Sequence, residues 1–156
     1  TRLRNRTFYA EELNRLSRKG PWPLSVIAID MNGLKTVNDE HGHAAGDAML
    51  RRVGEVLAKA VDAPARAARI GGDEFMVLLP ATDERGAQAM QERILSLLEL
   101  NNQFYPGHTI QVSMGSACAQ EGAFMEAVVH RADQEMYAQK SRFYQAREQD
   151  RRSDAA

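Results

Sequence analysis

Two short strand-like runs, residues 66–70 and 74–79, flank Gly71-Gly72, a glycine pair suited to a tight hairpin turn that needs positive φ. On either side the chain reads as helix. Met49, Val53, Val56, Leu57 and Ala60 recur at helical spacing over residues 44–61, and Ala87, Met90, Ile94, Leu97 and Leu98 do so over 83–101. Residues 24–30 form a continuous apolar run ending in a carboxylate, the pattern of a strand buried on both faces. Ile110, Val112 and Met114 alternate with polar residues, which predicts a half-buried strand over 109–118. Helices are predicted over 7–19, 33–40 and 124–143, and a frayed tail over about 145–156. A hairpin combined with helical crossovers gives an α+β sandwich rather than a doubly wound parallel sheet.

The chain of 156 residues suffices for one domain. Its formal net charge of −1 provides no general attraction for nucleic acid or an acidic membrane, and 6% aromatic residues leave little for an RNA-stacking sheet face. Neither apolar run, 24–29 or 75–79, is long enough to cross a bilayer, and no apolar stretch follows the basic Thr1-Arg-Leu-Arg-Asn-Arg6, so no signal peptide is read. Cys118, the lone cysteine, reads as a small buried strand residue in a reducing compartment. The expected location is the cytoplasm.

Three groups of residues could carry chemistry. Asp30 ends the most buried strand; alone, it reads at least as well as a helix cap or a solvent-facing strand end. Asp73 and Glu74 sit where the hairpin enters the core, and as strand neighbours they point to opposite faces. If the hairpin lies beside the strand ending at Asp30, two carboxylates converge. Such a site suits Mg²⁺ completed by phosphates and water, the equipment of nucleotidyl transfer. Asn38 and Asp47 flank the His41-Gly42-His43 turn, and a carboxylate can accept both N1–H and N2–H of guanine, a donor pair adenine lacks. The two histidines lack the further ligands of a zinc site and read as part of the turn.

Together these segments resemble the GGDEF family of diguanylate cyclases. Thr1–Arg6 resembles the end of its opening L-T-x-L-x-N-R motif. Asp30-Met-Asn-Gly-Leu-Lys-Thr-Val-Asn-Asp39, with Gly42-His43 and Gly46-Asp47, resembles D-x-D-x-F-K-x-x-N-D-x-x-G-H-x-x-G-D. Arg69-Ile-Gly-Gly-Asp-Glu-Phe75 matches R-x-G-G-D-E-F in full, Val112-Ser-Met-Gly115 resembles V-S-I-G, and Ala132 to Lys140 resembles A-D-x-A-L-Y-x-A-K.

The resemblance implies a mainly antiparallel central sheet flanked by helices, as in nucleotidyl cyclases and polymerase palms. It implies that two GTP molecules are condensed into cyclic di-GMP and pyrophosphate between two facing domains, so that a monomer holds half a site. Asp30, the Met31 carbonyl, Asp73 and Glu74 would hold Mg²⁺, with Mn²⁺ as an alternative. Asp73 would also bear on activation of the ribose 3′-hydroxyl, and Glu74 would complete the metal site or hold a basic neighbour such as Lys35. Asn38 and Asp47 would read guanine. Lys35, Lys140 and the amides near Gly33 and Leu34 would meet the triphosphate. An upstream sensory or receiver domain is expected in a longer protein, which could be membrane-anchored through it.

The chain departs from the family pattern in several places. Asn32 and Leu34 replace an aspartate and a phenylalanine. Tyr144 stands where a phosphate-binding arginine is often found, leaving Arg142 or Arg147 as substitutes. Asp62 and Ala65 stand where the R-x-x-D of the product-inhibition site would be, so no feedback through that site is expected. The runner-up reading is a GGDEF domain that binds GTP or regulates without turnover. The intact Asp30, Asp73, Glu74, Asn38 and Asp47 argue against it.

Overall fold

A computed structural model describes residues 3–155, which leaves Thr1 and Arg2 of the opening motif outside the described residues. The elements run α1 (Arg6–Lys19), β1 (Leu24–Met31), α2 (Leu34–His41), α3 (His43–Ala60), β2 (Arg66–Arg69), β3 (Glu74–Leu79), α4 (Glu84–Phe104), β4 (Val112–Ala119) and α5 (Met125–Ala155). The four strands form one antiparallel sheet in the order β2-β3-β1-β4. This is the antiparallel α+β architecture expected from the hairpin.

The position of β1 explains its composition. With β3 on one side, β4 on the other and helices over both faces, every residue from Leu24 to Met31 is buried. Ile27, Ile29 and Met31 join Val53, Leu57, Ile94 and Leu98 of α3 and α4 in one core. Val26 and Ala28 point the other way, to Leu16 of α1 and to Val128, Ala132 and Met136 of α5. Two interlocked cores therefore grip one strand, and its last carboxylate is carried inside with it.

Three features differ most from the sequence expectation. The strand expected from residue 109 begins at Val112, because the Asn102 side chain satisfies the Ile110 backbone: its amide donates to the Ile110 carbonyl (2.9 Å) and its oxygen accepts from the Ile110 amide (2.8 Å). The hairpin glycines do not adopt positive φ. The four-residue turn is closed instead by Arg69, whose guanidinium donates to the Gly71 carbonyl (3.2 Å) and the Gly72 carbonyl (2.6 Å).

The third difference is the tail. Rather than fraying, α5 continues to Ala155. Residues 141–155 contain neither glycine nor proline, and nine of the fifteen are Arg, Gln, Glu or Ala, all good helix formers. Glu148 pairs with Arg151 and Arg152 one turn on, and Tyr144 anchors the extension to the β1–α2 loop.

Candidate active site

The sheet settles which strands are neighbours. Asp30 lies directly opposite Glu74 in the β1–β3 ladder, and the Met31 amide donates to the Asp73 carbonyl (3.2 Å) one step further. The hairpin thus lies beside the end of β1, and Asp73 stands close enough to the Asp30 carboxyl to raise its affinity for a proton. Glu74 leans back over the turn, its Oε2 3.3 Å from where a Cβ on Gly71 would stand. The described residues include no cluster of three acidic, histidine or cysteine ligands, so Asp30 and Asp73 are the carboxylates brought together.

Burial dominates the electrostatics. Asp30 is raised to about 6 from an ordinary 3.8, chiefly by burial; Lys140 opposes this and Asp73 adds to it. The Lys140 ammonium lies 3.0 Å from Asp30 Oδ2 and donates to the Met31 carbonyl at 3.1 Å. It rests on two of the oxygens proposed for the metal and does not reach into an open cleft. The other Asp30 oxygen, Oδ1, is buried without a partner. An orphaned carboxylate oxygen, a backbone carbonyl already holding a cation and a second carboxylate nearby form a hard oxygen donor set. That set fits Mg²⁺.

The raised value sets a sign for stability. Folded Asp30 binds its proton more tightly than unfolded, so the associated stabilisation is complete below about 3.8 and lost as pH rises through about 6. In metal-free buffer the stability of Asp30→Asn relative to wild type should therefore rise by about 2 kcal/mol between pH 4 and pH 7. Denaturant titrations across that range check the slope, whatever constant offset the loss of Lys140's partner brings.

The other site residues occupy α2, α3 and the intervening loops. Asn38 Oδ1 is buried with no partner and abuts the α3 backbone at Gly46, where a Cβ would collide with it; Asp47 is exposed beside it. Gly33 is the N-cap of α2, and Leu34 begins that helix. Lys35 is exposed, and among the described residues no carboxylate pairs with it, Glu74 included. The Asn32 side chain is engaged elsewhere than at the metal oxygens: its Oδ1 accepts from Ser113 Oγ (2.9 Å), while its backbone N–H donates to the Gln111 carbonyl (2.8 Å). Asp62 is exposed and Ala65 half-buried, at the α3–β2 connection.

Sequence reasoning gave no role to Arg69, Gly46 or the Tyr144 hydroxyl. An arginine two residues before a glycine pair and a glycine inside a helical pattern were the available signals.

The family described as "Diguanylate cyclase, GGDEF domain" matches residues 1–145. The chain belongs to the GGDEF family. Among relatives, this GGDEF domain is 32% identical over 145 residues to diguanylate cyclase DgcS of Shewanella oneidensis, covering 90% of this chain and 48% of that protein. It is 35% identical over 150 residues to the response regulator PleD of Caulobacter vibrioides, covering 90% of this chain and 33% of that one. The chain thus spans less than half the length of either. Its fold matches the crystal structure of the GGDEF domain of DgcB from Caulobacter crescentus in complex with c-di-GMP, with a TM-score of 0.80 at 28% identity over 89% of this chain and 86% of that one.

Proposed function

We propose that this GGDEF domain is a diguanylate cyclase half-site that holds one GTP and, facing a second copy, joins two GTP into cyclic di-GMP with release of two pyrophosphates. The observation that carries the reading is the pairing of Asp30 and Asp73 at the buried mouth of the β1–β3 ladder, beside a cation-holding carbonyl. Asp30, Asp73 and the Met31 carbonyl would hold Mg²⁺. Bound there, Mg²⁺ supplies Lewis-acid charge to the phosphoryl oxygens and lowers the pKa of a ligated hydroxyl. Glu74 stands one residue beyond Asp73 as an outer carboxylate. Asn38 and Asp47 read the guanine edge, and Lys35 and the Gly33–Leu34 loop face the phosphates. Catalysis by these residues is chiefly positioning and charge neutralisation.

GTP with Mg²⁺ should yield cyclic di-GMP and pyrophosphate on chromatographic analysis, and ATP should be left untouched. Consumption of both nucleotides alike would contradict the guanine assignment, and GTP binding without product would favour a non-catalytic GTP-binding domain.

Guanine recognition depends on a glycine. The Asn38 amide lies against α3 only because position 46 has no side chain. Gly46→Ala should weaken GTP binding about tenfold, the scale of one misplaced base contact. In an Asn38→Ala background the same substitution should add little further, since the methyl then meets only the end of the flexible Leu34 side chain, 3.1 Å away. Calorimetric titration of the four proteins tests this non-additivity.

A further inference from the structure

We propose that Arg52 is a positioning residue for guanine recognition: it ties the α4–β4 loop, residues 105–111, to α3, and the loop holds both ends of α2, which carries Asn38; this rests on the guanine reading above. The Arg52 guanidinium is spread over three neutral oxygens. Nε donates to Asn101 Oδ1 (2.9 Å), Nη1 to the His108 carbonyl (3.0 Å) and Nη2 to Asn102 Oδ1 (3.1 Å), while Cζ stands 4.9 Å from the centre of the Tyr105 ring. No carboxylate among the described residues pairs with it. Bonds from a charged donor are stronger than neutral ones, and the planar fork lets one side chain fix several acceptors at once. Asn102 passes the hold on, because the oxygen that takes Nη2 also accepts from the Ile110 amide.

The loop so fixed reaches α2 twice. Its Gln111 carbonyl accepts from the Asn32 amide (2.8 Å), two residues before α2 begins, and the His108 ring lies against that of His41, the last residue of α2, with centroids 4.4 Å apart. α2 depends on such support. It spans eight residues and has no fully buried side chain, offering the core only the half-buried Leu34 and Val37. A helix of that length is marginal without its neighbours. Asn38 sits one turn before the His41 contact and meets α3 at Gly46, one residue before Asp47. α3, the loop and α2 therefore form a closed ring of contacts around the two residues proposed to read guanine. Arg52 is the α3 side chain that closes the ring on the loop side.

Calorimetric titration with 3′-deoxy-GTP, which lacks the attacking hydroxyl and cannot be cyclised, tests the assignment in the presence of Mg²⁺. Arg52→Ala should weaken binding about fivefold. In an Asn38→Ala background it should add little, because the arginine acts through that residue. His108→Ala, which removes the ring contact and leaves the carbonyl, should show a smaller loss. Arg93→Ala separates positioning from stability alone. Its guanidinium braces α4 against the end of α3 through the Ala60 carbonyl (2.9 Å) and the Lys59 carbonyl (3.3 Å), so its removal should lower the melting temperature and leave binding like wild type. An Arg52→Ala protein that binds like wild type would overturn the proposal. So would a loss of the same size with and without Asn38, or an equal loss in Arg93→Ala. A wild type that does not bind 3′-deoxy-GTP would overturn the nucleotide reading itself, a result distinct from each of these.

Discussion

Asp73→Ala is expected to lower cyclic di-GMP formation about 1000-fold, roughly 4 kcal/mol of transition-state stabilisation, without loss of the fold. Asp73 lies in the turn before β3, half-buried, where it supplies the second carboxylate beside Asp30 and packs against little. Its backbone carbonyl keeps the bond from the Met31 amide whatever the side chain. Removing it also removes one of the influences that raise Asp30, so the metal-free variant should be at least as stable as wild type. Thermal melts and initial rates on the same preparations separate the two effects. Low activity together with a lowered melting temperature would instead mean that Asp73 supports the turn.

Gly115→Ala should cost the most stability. Gly115 lies on β4 opposite Ala28 of β1, and a Cβ on it would run into the Ala132 carbonyl oxygen and the Met136 amide nitrogen of α5. Both are backbone atoms of a helix packed on the sheet, and no rotamer change can make room. α5 would have to lift off the core formed by Val128, Ala132 and Met136. A loss of at least about 3 kcal/mol is expected, near 10 °C in melting temperature for a domain of this size. Because α5 also holds Lys140 against Asp30 and Met31, the geometry of the proposed metal site should be disturbed in parallel.

Local patterns were legible in the sequence where one residue's environment follows from its neighbours. The unbroken apolar run of β1, the helical spacing of α3 and the hairpin around Gly71-Gly72 were of this kind, and so was the α+β class. The convergence of Asp30 and Asp73 was conditional, because which strands are adjacent is decided by packing rather than by spacing. What stayed illegible depends on contacts distant in sequence. Gly46 and Gly115 are glycines for the sake of Asn38 and α5, Asn102 replaces a strand partner for Ile110, and Lys140 rests on Asp30 and Met31, 110 and 109 positions away. The tail was misjudged because charge was weighed above helix propensity, and the Tyr144 contact that ties it down spans 111 positions.

The central claim is tested most directly by the rate of cyclic di-GMP formation per domain, measured with GTP and Mg²⁺ as protein concentration is raised. Two half-sites facing one another predict product whose rate per domain climbs with concentration until the dimer saturates. GTP bound with guanine selectivity but never converted, at any concentration and even when two domains are tethered, would contradict it.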